Sequence, residues 1–203
     1  MLKVGILGSG TGTNFSAILD SIQNGSLPNV KIEIVISDVA DAKILSKAEN
    51  AGLNSKYIAV TNFKTKLEGE PEQNYIDTLQ NANVDYVVLA GFMRILKPKF
   101  LAAFKNKIIN IHPALLPAFP GVHSWEQALN YGAKFSGCTV HFVDEGTDTG
   151  PIIAQAVVPI LNDDTPATLH QRIQIEEHKL LPYVLRLLAE QRIKIEGRRT
   201  FIL

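Results

Sequence analysis

Short apolar runs alternate with segments of helical spacing over the first half of the chain. Runs of this length, separated by helices, are typical of a parallel sheet covered on both faces, because each strand must then be apolar on both sides. The runs that predict strands are residues 4–7, 32–36, 57–60, 86–89 and 107–111. The segments of helical spacing are residues 15–22, 42–51 and 73–80. The pattern therefore predicts an α/β fold.

The alternation stops after Ile111, where three prolines fall within eight residues. Because proline fits neither a helix interior nor a central strand, this spacing predicts an ordered loop. We expect a cis peptide bond at Leu116–Pro117, where the chain must turn sharply. Beyond the loop, the pattern predicts a helix at 125–129 and two locally paired antiparallel strands at 137–143 and 152–158. It then predicts a long helix at 166–189 with Thr165 as N-cap, and one more strand in 191–203.

The length of 203 residues suits one domain. We therefore expect a single domain over residues 1–203, built on a mostly parallel twisted sheet with helices on both faces. Its C-terminal part is expected to add an antiparallel strand.

The charge balance argues against a nucleic-acid-binding protein. Lys and Arg total 20, as do Asp and Glu, so the formal net charge is zero, whereas nucleic-acid binding needs a basic face. No apolar stretch approaches bilayer-spanning length, and the first apolar run is too short for a signal peptide. The single cysteine, Cys138, excludes an internal disulfide and is expected to be a small buried residue rather than a nucleophile. We expect a cytoplasmic protein with neither a nucleic-acid nor a membrane partner.

A glycine-rich loop at residues 8–14 joins the first predicted strand to the first helix. The N–H groups and dipole of a helix N-terminus favour an anion, and glycines let the backbone approach it closely. Three glycines with three short polar residues exceed the needs of a turn, so we favour phosphate binding over a plain turn. A dinucleotide fingerprint would need glycine where Thr13 stands, but Asp38 at the end of the second strand keeps a dinucleotide site as a weaker alternative.

Asn110 and His112 lie two residues apart on the fifth predicted strand, so their side chains leave it on the same face. They stand at the C-terminal end of a parallel strand, the usual ligand-binding edge. An amide and an imidazolium can both donate to the oxyanion that forms when an amine attacks a formyl carbon. Asp148, between Gly146 and Gly150, would raise the histidine pKa and fix its orientation if it lay nearby.

Two alternatives remain for these side chains. They could satisfy loop backbone groups, with Asp148 an ordinary turn residue. A metal could also be held by His112, His123 and His141 with an aspartate, although none of them has the spacing of a metal motif. No serine or cysteine stands in a nucleophile-elbow pattern, which favours direct transfer without a covalent intermediate.

Four segments together resemble the folate-dependent formyltransferase family. Residues 109–117, followed by Gly121, are similar to its N-I-H-P-S-L-L-P…G signature, with Ala114 where Ser is usual. Residues 148–151 are similar to its D-x-G-P segment, residues 9–14 to an S-G-x-G-[ST]-N loop, and residues 90–96 to A-G-[FY]-M-R-I-L. The similarity runs from Val4 to about Pro182 and implies the family's Rossmann-like fold.

The resemblance implies 10-formyltetrahydrofolate as co-substrate, glycinamide ribonucleotide as acceptor, no metal, and a monomer or homodimer. It implies a phosphate-binding part at about residues 1–100 and a catalytic and folate-binding part at about 85–190. His112 would donate a proton, Asn110 would bind the oxyanion, and Asp148 would raise the histidine pKa and order water. The implied ligands are Gly12, Thr13 and Asn14 for the acceptor phosphate, Glu177 for the ribose, and Lys66, Met93, Arg94, Ile95, Leu96 and Asn110 for the folate.

Related activities remain as alternatives. A formyltransferase acting on RNA is expected to carry a basic surface or a further C-terminal domain, and a formyltetrahydrofolate deformylase an extra N-terminal domain; we expect neither feature here. A non-catalytic module that binds a sugar phosphate or a dinucleotide is the alternative outside the enzymes, but such a module has no need of the Asn110–His112 pair.

Overall fold

The computed structural model describes residues 1–61 and 65–203. It divides into two compact units, Met1–Ile109 and Asn110–Leu203, whose boundary falls inside a strand. The organisation of the chain as a single domain stays a prediction.

The first unit alternates strands and helices from its first residues. Its elements are β1 (Leu2–Leu7), α1 (Thr13–Gln23), β2 (Val30–Ser37), α2 (Lys43–Asn50), β3 (Ser55–Tyr57), β4 (Lys66–Leu67), α3 (Glu70–Asn81), β5 (Tyr86–Leu89), β6 (Ile95–Leu96), α4 (Pro98–Ala103) and the start of β7 (Ile108–His112). Strand β1 pairs in parallel with β2 and with β5, and β2 pairs in parallel with β3. The last four residues of β1 and of β2 are all buried, as expected for a sheet whose two faces are both covered.

The second unit carries the antiparallel part of the fold. After β7 come α5 (Ser124–Tyr131), β8 (Phe135–Phe142), β9 (Ile152–Pro159), α6 (Pro166–Ala189), β10 (Ile193–Glu196) and β11 (Arg199–Ile202). Strand β8 pairs antiparallel with β9, as predicted. Helix α6 begins with the predicted N-cap, because the Thr165 hydroxyl accepts a hydrogen bond from the Thr168 N–H in a capping box.

Seven strands form one sheet in the order β3-β2-β1-β5-β7-β8-β9. The predicted class, a mostly parallel α/β sheet with an antiparallel C-terminal part, is confirmed. The Leu116–Pro117 peptide bond is cis, also as predicted.

Two predicted elements differ in the structure. The third strand covers Ser55–Tyr57 rather than residues 57–60, because its register pairs it with the end of β2. Ile58 and Val60 are buried but do not belong to a strand. Their apolar pattern therefore indicates burial and not strand pairing. The C-terminal segment forms a hairpin of two strands, β10 and β11, rather than one strand. Gly197 at its turn has a left-handed φ of 59°, a conformation that glycine adopts without steric cost.

Candidate active site

Strand β7 brings two polar side chains to its C-terminal end. Ile109 and Ile111 are buried on one face of the strand, while Asn110 and His112 share the other. His112 is only 4% exposed. A buried imidazole at the end of a strand needs polar partners, because an unpaired polar group away from water is costly.

The loop between β8 and β9 provides the main partner, Asp148. Its carboxylate oxygen Oδ2 lies 3.3 Å from His112 Nδ1 and accepts a hydrogen bond of 2.8 Å from the Gly121 N–H. The Asn110 Nδ2 group donates to its other oxygen, Oδ1, at 3.4 Å. In the second unit, Asp148 therefore contacts both of the other predicted catalytic side chains, Asn110 and His112.

His141 on β8 completes this cluster. Its Nε2 lies 3.6 Å from Asp148 Oδ1 and 3.2 Å from Asn110 Nδ2, and its Nδ1 lies 2.7 Å from the Phe142 carbonyl oxygen. Both ring nitrogens of His141 therefore have polar partners. The sequence indicates His141 only as a possible metal ligand. Its place two residues after Thr139 on a strand that is buried throughout that region would have indicated an inward-facing imidazole.

The cluster keeps Asp148 ionised. Burial acts to raise the pKa of Asp148, but the hydrogen bond with His141, the adjacent His112 and the Gly121 N–H outweigh it and hold the pKa below its usual value. The carboxylate is therefore charged at neutral pH, as its expected role requires.

Burial and the Asp148 carboxylate act on the pKa of His112 in opposite directions. Burial lowers the pKa of His112, although the Asp148 carboxylate and the Phe119 carbonyl oxygen both act to raise it. Asp148 thus acts on the pKa of His112 in the predicted direction, while desolvation of the ring is the larger effect. The sequence could not reveal how deeply the ring is buried.

Both ring nitrogens of His112 face oxygen acceptors. Nδ1 faces Asp148, and Nε2 lies 2.9 Å from the Phe119 carbonyl oxygen. A neutral ring can donate from only one nitrogen, so both contacts are satisfied only in the imidazolium form. The loop that supplies Phe119 is fixed to β8, because the Thr139 hydroxyl donates to the Ala114 carbonyl and accepts from the Leu116 N–H.

In the first unit, the glycine loop has the geometry of a close backbone approach. Gly12 adopts a left-handed conformation with φ 67° immediately before α1. A Cβ at Gly12 would lie 2.9 Å from the Ile44 Cβ, so a larger residue would displace α2. Asn14 is buried in the first turn. Lys47, which the sequence analysis missed, donates to the Ser16 hydroxyl at 3.0 Å and brings a cation to this turn.

Asp38 connects the glycine loop to the segment after β5. Its carboxylate accepts hydrogen bonds of 2.6 Å from the Ser9 hydroxyl and from Arg94 Nε. The Ser9 hydroxyl in turn accepts from the Met93 N–H at 3.0 Å. With its side chain only 3% exposed, Asp38 is occupied by these partners, which disfavours the alternative in which it binds the ribose of a dinucleotide. The ion pair instead orders the segment proposed to bind folate.

Residues 2–185 match the family described as formyl transferase. The chain belongs to the formyl transferase family. Every predicted site residue lies within the matched range, whereas the β10–β11 hairpin lies beyond it.

Named relatives of this formyl transferase family member include enzymes of similar length. The chain is 38% identical to the phosphoribosylglycinamide formyltransferase of Haemophilus influenzae over 202 residues, which cover all of this chain and 94% of that protein. It is 42% identical to the human trifunctional purine biosynthetic protein adenosine-3 over 95% of this chain, but it spans only 19% of that protein. The glycinamide ribonucleotide transformylase 1 structure from Symbiobacterium toebii superposes with a TM-score of 0.95 at 47% identity, covering 100% of this chain and 94% of that one.

The predicted folate segment of this formyl transferase partly joins a small ladder. Strands β4 and β6 pair in parallel, with Lys66 opposite Ile95 and Leu67 opposite Leu96. This register brings Lys66, the loosest of the matched positions, alongside the segment from Met93 to Leu96. Met93 and Ile95 are exposed and Leu96 is buried, so two apolar side chains of the segment remain accessible to a ligand.

Glu177 on α6 is buried, with 4% exposure. Its spacing alone would have placed it on an exposed helix face, and that interpretation is wrong.

Burial, together with Glu177 and Glu176, raises the pKa of Cys138 to about 12. The Cys138 thiol is fully buried and protonated, which confirms that it is a core residue and not a nucleophile.

Neither a membrane-spanning helix nor a metal-binding cluster is found in the part of this formyl transferase that the structure describes. Within residues 1–61 and 65–203, no helix is long and apolar enough to cross a bilayer. The same part of the chain holds no group of three or more His, Cys, Asp or Glu side chains arranged to bind a metal ion.

Proposed function

We propose that the protein transfers the formyl group of 10-formyltetrahydrofolate to the amine of glycinamide ribonucleotide, a step of purine biosynthesis. The observation that carries this proposal is the partly buried cluster of Asn110, His112 and Asp148 in a member of the formyl transferase family. The name of the Haemophilus relative, which matches the whole chain, supports the choice of acceptor.

The proposed reaction is a direct transfer. The amine nitrogen of the acceptor bonds to the formyl carbon, and the carbonyl π electrons move to the oxygen. Collapse of this tetrahedral intermediate breaks the bond between the carbon and N10 of the folate. The attacking nitrogen loses one proton and N10 gains one, so the step consumes no net proton and needs no metal.

Each member of the cluster has a role in this scheme. His112 donates to the developing oxyanion and delivers a proton towards N10, and the Asn110 amide is a second donor to the oxyanion. Asp148, ionised in the cluster, stabilises the imidazolium that forms and orders a water for proton transfer. Burial lowers the pKa of His112 and so disfavours its charged form. The stabilisation of the imidazolium by Asp148 therefore matters most when negative charge builds up on the substrate.

The proposed ligand sites follow the remaining matched residues. Gly12, Thr13 and Asn14 bind the acceptor phosphate at the N-terminus of α1, where the N–H groups of the first turn and the helix dipole favour an anion. Glu177 accepts hydrogen bonds from the ribose hydroxyls. The proposed folate ligands are Lys66, Met93, Arg94, Ile95, Leu96 and Asn110. Arg94 acts there by holding the segment against Asp38.

A formyl-transfer assay with purified protein tests this function. The assay follows release of tetrahydrofolate with glycinamide ribonucleotide as acceptor, and compares the wild type with His112→Ala. Folate release in water without acceptor would instead indicate a deformylase. Absence of turnover combined with tight binding of NAD or NADP would indicate a non-catalytic binding module. We also propose that the protein acts in the cytoplasm, as a monomer or homodimer, without a nucleic-acid partner.

A further inference from the structure

The C-terminal hairpin, β10–β11, touches the loop that carries Asp148. The Arg198 Nη2 group donates a hydrogen bond of 2.7 Å to the Thr149 carbonyl oxygen. Two residues further along, the Thr200 hydroxyl donates one of 2.7 Å to the Ile152 carbonyl oxygen. The hairpin therefore holds the main chain on both sides of Gly150–Pro151, directly after the carboxylate.

The backbone at Asp148 needs external support. Asp148 has a left-handed φ of 55°, which costs a residue with a Cβ roughly 1 kcal/mol. A Cβ on Gly150 would collide with the Phe142 carbonyl oxygen, so the loop passes very close to the end of β8. A segment with this conformation keeps one geometry only where its surroundings determine it.

Thr149 is fixed from two directions. Its hydroxyl donates to Asp144 Oδ1 at 2.6 Å within the loop itself, and its carbonyl oxygen accepts from Arg198 in the hairpin. Because Thr149 shares a peptide bond with Asp148, rotation of Thr149 moves the Asp148 backbone and therefore its carboxylate. Asp148 must stay within 3.3 Å of His112 Nδ1 to act on the imidazole.

We propose that Arg198 is a positioning residue for Asp148, and that the β10–β11 hairpin, which lies beyond the matched family region, holds the catalytic loop in place. This inference rests on the proposed function of the Asn110–His112–Asp148 cluster. A guanidinium fits this role for two reasons. Its long side chain extends from the hairpin turn to the loop, and its charge strengthens a hydrogen bond to a carbonyl.

The test compares Arg198→Ala with Arg199→Ala. Arg199 is the next residue of the same hairpin, and its guanidinium lies over the Phe201 ring, so the control removes the same charge without touching the loop. We expect Arg198→Ala to lower kcat about 10-fold, the scale of one lost charge-assisted hydrogen bond that is partly solvated. KM for both substrates and Tm should stay close to wild type, and Arg199→Ala should keep its kcat within about 2-fold.

Two further measurements separate positioning from general damage. Arg198→Lys and added millimolar guanidinium should each restore part of the kcat lost in Arg198→Ala. The titration of His112, followed by NMR, should shift to lower pH in Arg198→Ala and not in Arg199→Ala, because a displaced carboxylate favours imidazolium less. The charged or titratable side chains that act on the pKa of His112 are Asp148, which raises it, and His141, which lowers it.

The outcomes distinguish the two proposals. Absence of formyl transfer to glycinamide ribonucleotide in the wild type contradicts the proposed function, and the His112 titration still decides whether Arg198 positions Asp148. Equal kcat and an unchanged His112 titration in Arg198→Ala would overturn the positioning role. So would equal losses in the two alanine variants, since the effect would then belong to the hairpin charge in general.

Discussion

Replacing Asp148 by Asn removes a charge while keeping the shape of the cluster. The Asn oxygen can occupy the position of Oδ2, where it still accepts from the Gly121 N–H and faces His112 Nδ1. The new amide group then takes the place of Oδ1 beside His141 Nε2 and Asn110 Nδ2, so the hydrogen bonds at that position change together with the charge. Asn also tolerates the left-handed φ of 55° at this position. The substitution is therefore a test of charge rather than of packing.

The expected loss follows from the distance between the two groups. A unit charge 3.3 Å from an imidazolium is worth about 5 kcal/mol at an effective dielectric constant of about 20. The Asn dipole and nearby water recover part of this, so we expect kcat to fall by about two to three orders of magnitude. The pKa of His112, already lowered by burial, should fall further because Asp148 no longer raises it. Affinity for glycinamide ribonucleotide should change little, because the proposed phosphate loop is a separate segment.

Steady-state kinetics across about pH 6 to 9 and equilibrium binding on the same variant measure these effects separately. Asp144→Asn is the matched control in the same loop: its carboxylate accepts from Thr149 and Gly146, which Asn can also do, and kcat should stay within about 3-fold. Near-wild-type turnover of Asp148→Asn across this pH range would refute the reasoning, and His112 and Asn110 would have to act without a carboxylate partner.

Three further substitutions test other parts of the structure. Gly12→Ala should cost about 2 kcal/mol in urea unfolding and weaken acceptor binding in calorimetry, because Ala disfavours φ 67° and its Cβ would meet Ile44; unchanged stability would contradict this. His141→Phe should lower kcat about 10-fold with little change in KM, since the carboxylate and amide lose a shared partner; full activity would show that the ring is dispensable. Arg172→Met should cost about 2 to 3 kcal/mol at pH 7, because it strips the buried Asp164 of its ion pair. The pKa of Asp164 is held well below its usual value, chiefly by Arg172, so its contribution to stability is present above the unfolded pKa and is lost as pH falls; the gap between wild type and variant in urea unfolding should close towards low pH.

The parts of the fold that follow from local pattern could be predicted from the sequence. Mainly apolar runs predicted the strands β1, β2, β5 and β7 to within two residues, because a strand buried on both faces leaves few polar positions. The third strand was misplaced because Ile58 and Val60 are buried outside any strand, and hydrophobicity does not distinguish burial from pairing. Helix α4 was missed because its six residues are too few to show a period.

The site was predictable where neighbouring residues in the chain share a function. Asn110 and His112 are two residues apart, so strand geometry alone placed them together. Lys47, His141 and Arg198 reach their partners across 31 or more residues of chain, and no local pattern predicts such contacts. The protonation of His112 depends on how burial and charge compare, and that comparison needs coordinates.

The contact between His112 Nε2 and the Phe119 carbonyl oxygen determines whether the bound substrate or the transition state is stabilised by a hydrogen bond from this histidine. A substrate that takes the Nε2 donor must first displace a carbonyl, and an intact formyl group is itself only a carbonyl. The exchange of one neutral acceptor for another is nearly neutral in free energy, so it adds little to substrate affinity. Once the formyl oxygen becomes an anion, it is a much better acceptor than the Phe119 carbonyl. Exchange of the internal hydrogen bond for one to the substrate thus lowers the free energy of the transition state but not that of the bound substrate. We therefore expect His112 to affect kcat far more than KM.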